Sequence, residues 1–253
     1  MGGWIWAAGV GGSMRVWLIA GFMMLGMGNG FAADPLASTP VDPFASFIAD
    51  GKATVHFRTM FFDRDKPNNS ESEAWAAGGW LGYETGWLAD MLQFGAVGYT
   101  SQPIYAPQDK PGTGLLQPIQ QQITVLGQAY AAINIEDHVL TFYRQLVNQP
   151  EVNPQDNRMT PNTFEGGSIK GDLGPVGYYA GYLTGMKKRN STEFLNFAKS
   201  AGVTDENSPM WLGGIDFSPI ESLTVRSSFY AVPDILASSY SDGVWKTPLN
   251  DDI

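Results

Sequence analysis

The sequence predicts an all-β fold, an antiparallel barrel that crosses a membrane on its strands. Three observations carry that expectation. About nine short runs alternate apolar and polar residues with the period of 2 that marks a strand with one apolar face. The links between them alternate long and short, as in transmembrane barrels with short periplasmic turns and long external loops. Charged and amide groups occupy the polar side while Tyr and Trp gather near the run ends, which suits a wet interior and an interfacial girdle. Alternation alone leaves the buried face open, because a soluble barrel would turn the same apolar side inward.

The N-terminus reads as an export signal over residues 1–32. Met14 and Arg15 precede the apolar run VWLIAGFMMLGMG, and Gly30-Phe31-Ala32 offers small residues for cleavage before Ala33. Residues 1–13 carry no positive charge, so Met14 is the better start. A membrane-anchoring helix is the competing reading, but the run falls short of the ~20 residues a span needs. Residues 33–51 form a Pro-punctuated leader with no apolar period, expected to be irregular.

The repeating character begins at Lys52. In KATVHFRTMFF, Val55, Phe57, Thr59 and Phe61 alternate with Thr54, His56, Arg58 and Met60. A polar stretch at 63–72 follows as the first long loop. Runs at 74–85 and 91–100 come next, with Trp75, Tyr83, Trp87 and Tyr99 near their ends. A second long loop leads to QITVLGQAYAAINI, where Ile123, Val125, Gly127, Ala129, Ala131, Ile133 and Ile135 share a side against Thr124, Gln128, Tyr130 and Asn134. After Glu136-Asp137 comes HVLTFYRQLV, then the polar NQPEVNPQDNRMTPNT, the third long loop at 148–163. FEGGSIKG and GPVGYYAGYLTGM follow, the second carrying Tyr178, Tyr179 and Tyr182. The connection 187–209 is polar, with room for a helical turn in STEFLNFAKSA. WLGGIDF and LTVRSSFYA alternate again, and the remainder from Val232 reads as loop.

Composition excludes several classes. The 253 residues hold no Cys, 30 Gly and a formal net charge of −10, with 16% charged and 13% aromatic residues. Neither a disordered tail nor a basic nucleic-acid binder has that mix. Without Cys there is no thiolate metal site or disulfide scaffold. With only His56 and His138, no His-based metal centre is expected, and no cofactor is expected either. No G-x-S-x-G elbow, P-loop, H-E-x-x-H or Rossmann fingerprint occurs, so no enzyme is expected.

The third loop is where the sequence resembles a known family. Asn157-Arg158-Met159-Thr160-Pro161-Asn162-Thr163-Phe164-Glu165-Gly166 is similar to the signature of OprD-type outer-membrane porins. Phe61-Phe62-Asp63-Arg64-Asp65 and Glu73-Ala74-Trp75-Ala76-Ala77-Gly78 extend the resemblance upstream. It covers Thr54 to Gly171 well and runs more loosely to Ala231. The resemblance implies a monomeric barrel of roughly eighteen strands in the bacterial outer membrane, with inward-folded loops forming a narrow eyelet. It implies passive diffusion of small hydrophilic solutes, carboxylates or amino acids, guided by lumenal cations. Arg158 is carried over because it lies in the matched motif. Arg58, Arg144, Lys170 and Arg226 are candidates by strand parity, with Arg144 aimed inward for its charge against the parity of Leu140 and Phe142. Glu165 joins them, and Glu165 and Asp156, loop carboxylates near Arg158, read as an eyelet salt-bridge set rather than a catalytic pair. The expected partners are outer-membrane lipid, the solutes and the outer-membrane assembly machinery.

One departure is that the chain reaches about half the family's length, with nine strands, an odd number, where a closed antiparallel wall needs an even one. Residues 52–253 are therefore expected to be the N-terminal portion of a longer barrel. Two other readings stay open: a small structural outer-membrane barrel without conductance, and an exported soluble β-sandwich that binds a ligand. Each Arg could also be a solvated rim charge, and the aromatics ordinary core.

Overall fold

A computed structural model describes residues 14–19, 43–67, 70–203 and 207–247. Twelve strands form one antiparallel sheet: β1 (Met14–Ile19), β2 (Lys52–Asp65), β3 (Glu71–Glu84), β4 (Leu92–Tyr105), β5 (Ile123–Ile135), β6 (His138–Gln145), β7 (Thr163–Leu173), β8 (Val176–Lys187), β9 (Phe194–Leu195), β10 (Met210–Ile220), β11 (Leu223–Val232) and β12 (Leu236–Trp245). Each lies beside its sequence neighbour, except that β9 is a short strand on β8 and β10 continues the sheet from β8. Two short helices, α1 (Pro43–Ala49) and α2 (Phe197–Ser200), complete it. The α2 turn falls inside the stretch where a helical turn was allowed for.

The nine expected strands correspond to β2 through β8, β10 and β11. β12 lies where a loop was expected, and its sequence explains why. Leu236, Ser238, Tyr240, Asp242 and Val244 alternate with Ala237, Ser239, Ser241, Gly243 and Trp245, so neither side is continuously apolar. The register ties it to β11 all the same, from Leu223 opposite Trp245 to Val232 opposite Leu236. With β12 present, the argument from an odd strand count fails. Openness of the sheet rests on the pairing instead: among the described residues β12 does not pair back to β1 or β2.

Three further expectations need correction. The leader is not irregular throughout, since α1 occupies part of it. The first link is short, because β2 and β3 run on to Asp65 and from Glu71, their polar ends pairing as ladder. The long links are 106–122, 146–162 and 188–209, opposite the two-residue turns 136–137, 174–175 and 221–222. In β5 the side-chain alternation breaks at a register shift opposite Val97 and Gly98. Gly127 and Ile123 therefore turn inward, the second fully buried.

β1 pairs with the far half of β2, Met14 opposite Arg64 and Ile19 opposite Thr59. It coincides with the start of the expected export signal. The cleavage site and the rest of that segment lie outside the described residues.

The sheet is apolar on the outside. Val55 and Phe57 on β2 are 66% and 59% exposed, while the Arg58 side chain between them and Thr59 keeps only 15%. Leu81, Leu126, Ile215, Phe217, Val225 and Phe229 are exposed on the same outward face. A soluble protein rarely presents so continuous an apolar wall; lipid accepts it. The buried residues lie on the other face, beneath the loops. One cluster joins Ala74, Ala76, Leu115, Leu116 and Met159; the other joins Val147, Val152, Phe164, Leu183, Phe197 and Met210.

Candidate functional site

The segment 146–162 lies across the inner face of the sheet, and its own sequence shapes it. Pro150, Pro154 and Pro161 block extended pairing. Asn153 stabilises a turn locally: its Oδ1 accepts from the Gln155 amide at 3.0 Å and its Nδ2 donates to the Pro150 carbonyl at 3.1 Å. The Asn162 amide donates to the Pro154 carbonyl at 2.7 Å, drawing the far limb back on itself. Met159 and Thr160 are completely buried.

Two strands on opposite flanks hold the segment. From β2, Arg58 places a fork on Asp156, with Nη1 to Oδ1 at 2.8 Å and Nη2 to Oδ2 at 3.0 Å. Its Nη1 also donates to the Arg158 carbonyl. The guanidinium lies 4.5 Å over the Trp80 ring, on which His56 stacks at 3.9 Å, and its Nε donates to His56 Nε2 at 3.2 Å. From β8, the fully buried Lys187 donates to the Pro161 carbonyl at 2.9 Å, the Lys188 carbonyl at 3.2 Å and Thr160 Oγ1 at 3.3 Å. Thr160 Oγ1 in turn donates to the Arg189 carbonyl at 2.8 Å, and Asn162 Oδ1 accepts from the Arg189 amide at 2.8 Å. Backbone oxygens and a hydroxyl, with no carboxylate, surround this ammonium. They satisfy its three donors.

Arg158 points back to the wall rather than across to a carboxylate. Its Nε donates to the Thr113 carbonyl at 3.0 Å, its Nη1 to the Asn157 carbonyl at 2.8 Å, and the guanidinium lies 4.6 Å over Phe62. Burial, with the guanidinium groups of Arg189 and Arg64 nearby, holds its pKa below the ordinary value. The ion pairs among the described residues are Arg58–Asp156, Lys110 with Glu71 and Glu73, Arg144–Glu165 and Arg226–Asp242. Arg158, Arg64 and Arg189 belong to none of them.

The other candidates scatter. Arg144 and Glu165 bond each other at 2.8 Å, and Arg144 lies 4.2 Å over Phe194 while donating to the Leu126 carbonyl at 3.0 Å. In register Arg144 stands opposite Ala129, with Phe142 opposite Ala131. Lys170 is exposed on β7, between Val139 and Tyr179 in register. Arg226 forks onto Asp242, with Nε to Oδ1 at 2.9 Å, beside a cavity of about 390 Å³ that Asn148, Gln149, Tyr179 and Asp216 also line. Two supposed girdle residues belong inside: Tyr179 lines that cavity, and Tyr99 is buried against Trp80 with its hydroxyl on Gln128.

Asp156 pairs with Arg58 rather than with Arg158, and sequence reasoning missed Lys187 and the inward fold of the second long loop. Lys187 looked like the first residue of a polar connection, and nothing local distinguishes a buried ammonium from a solvated one. The loop 106–122 also folds in, with Leu115 buried and its carbonyl taking the Ser101 hydroxyl at 2.8 Å. The Leu115-Leu116 pair in an otherwise polar link was the available signal.

A sequence model of the outer membrane porin, OprD family, matches residues 45–253. No curated protein matches the chain. Among solved structures the chain is similar to OccK8 (OprE) of Pseudomonas aeruginosa, with 24% identity and a TM-score of 0.68 over 81% of this chain and 52% of that one. OccK9 (OpdG) of the same organism gives 21% and 0.72 over 81% and 56%. OpdK of Pseudomonas aeruginosa, solved with vanillate, gives 19% and 0.69 over 81% and 55%. The chain thus spans about half the length of the solved relatives it matches.

Proposed function

The chain belongs to the OprD family of outer membrane porins, and from that premise we propose that it serves as a passive pore for small hydrophilic solutes carrying a carboxylate, amino acids among them. It is an outer-membrane protein. The observation that carries the reading is the segment 146–162, latched across the inner face with Arg158, Arg64 and Arg189 close together and outside any ion pair. Fixed cations in a narrow pore with low-dielectric walls focus the field and raise the local concentration of anions. Arg58, Arg144 and Arg226 carry carboxylate partners, so their net contribution to that field is smaller. Vanillate, the compound solved with OpdK, is itself a carboxylate. Export through the N-terminal segment and insertion by the outer-membrane assembly machinery belong to the same reading. Cleavage before Ala33 would remove β1 and leave β2 at the sheet edge.

Reversal potentials in a planar bilayer under a salt gradient test the proposal. Arg158→Ala should lower the anion-over-cation permeability ratio about fivefold, the effect of roughly 1 kcal/mol of Coulomb energy in a wet pore. An unchanged ratio removes Arg158 from the solute path. A folded, heat-modifiable barrel that passes no current removes the pore reading altogether.

A further inference from the structure

The helix α1 sits at the end of the sheet that carries the two-residue turns, and it packs against the outside of the wall. Its sequence PFASFIA has no charged residue in its first or last turn. The Phe47 ring meets Phe94 edge-on at 6.3 Å, and the Phe47 carbonyl accepts from the Gly86 amide at 2.9 Å. Tyr83 donates its hydroxyl to the Ile48 carbonyl at 3.0 Å. Tyr83 and Phe94 belong to the outward face, where both stay partly exposed. Three contacts, one from an amide, one from a hydroxyl and one between rings, therefore fix a short helix whose position the leader's sequence did not suggest.

The docking leaves the rest of the apolar stripe largely exposed. Phe44 and Ile48, one helical turn apart, are 63% and 68% exposed, and Met91 in the adjoining link is exposed as well. A helix with this stripe, held against a lipid-facing wall, is suited to the boundary between head groups and acyl chains. Short turns mark the periplasmic end of an outer-membrane barrel, so the leaflet beside α1 is the phospholipid one. We infer that α1 is an interfacial foot: Phe44 and Ile48 enter the periplasmic phospholipid leaflet and continue the apolar wall that Tyr83 and Phe94 begin. The inference rests on the outward face meeting lipid, as membership of a porin family requires.

The chain has no native Cys, so single introduced thiols report one site each. Nitroxide-labelled Phe44→Cys and Ile48→Cys are compared in phospholipid bilayers with Leu81→Cys on the wall and Asp137→Cys in the β5–β6 turn. All four positions are at least partly exposed, so the labels do not disturb a packed interior. Collision with oxygen should exceed collision with a water-soluble nickel chelate several-fold at 44, 48 and 81, and the order should reverse at 137. Lipid-like behaviour at 81 with water-like behaviour at 44 and 48 overturns the foot while leaving the wall intact. Water-like behaviour at 81 overturns both. Tyr83→Phe, which removes the hydroxyl contact, should raise label mobility at 48 and leave 81 unchanged; equal mobility at 48 would remove the Tyr83 hydroxyl from the contacts that hold the helix.

Discussion

Gly79→Ala should strongly destabilise the native sheet. Gly79 has a φ of +136°, and a Cβ there would stand 1.9 Å from the His56 carbonyl oxygen. Neither side can yield, because β3 is laddered to β2 and β4 over nearly its whole length. The strained backbone costs about 1–3 kcal/mol, and the forced overlap adds about 1–3 kcal/mol. Stability of a folded domain is only about 5–15 kcal/mol. The variant should lose the heat-modifiable migration of a folded outer-membrane barrel, or unfold at much lower denaturant. Gly174→Ala is the matched control. Its φ is +61° in the β7–β8 turn with nothing within 4 Å of a Cβ, so only the conformational cost of about 1 kcal/mol applies. Equal damage from the two would refute the close approach at Gly79.

Arg58→Ala should unlatch the constriction while leaving the wall standing. It removes both bonds to Asp156 and the bond to the Arg158 carbonyl, and it leaves His56 alone on the Trp80 ring. Charge-assisted bonds of this kind contribute about 1.5–3 kcal/mol each when fully buried. The Asp156 side chain keeps 40% exposure and can turn to water, so about 2 kcal/mol in total is the expected loss. The larger consequence is functional. With the Asp156 end of 146–162 released from β2, open-channel current should rise and its fluctuations grow. Arg58→Lys keeps the charge but cannot fork, so it should restore selectivity better than steadiness. Single-channel noise identical to that of the parent would remove Arg58 from any latching role.

How far the sequence could be read follows from the range of each interaction. β2, β10 and β11 were legible because lipid on one side and water on the other impose strict alternation. β12 was not, since Ser and Gly fill its outer side. The sign of the wall became decidable only once exposure of Val55 and Phe57 could be compared with burial of Arg58 and Gln128. The motif around Arg158 pointed to the correct segment. The residues that hold that segment lay beyond local reading: the Arg58–Asp156 pair spans 98 positions, and Lys187 lies 27 positions beyond Thr160. Tyr99 illustrates the opposite error, since a ring near a strand end is equally suited to a girdle or to an interior stack.

The two latches also reach the segment from opposite directions along the chain. Arg58 precedes Asp156 by 98 positions, whereas Lys187 follows Thr160 by 27. The constriction therefore depends on both sides of the sheet at once: strands before the segment hold its middle, strands after it hold its far limb, and neither set alone holds both.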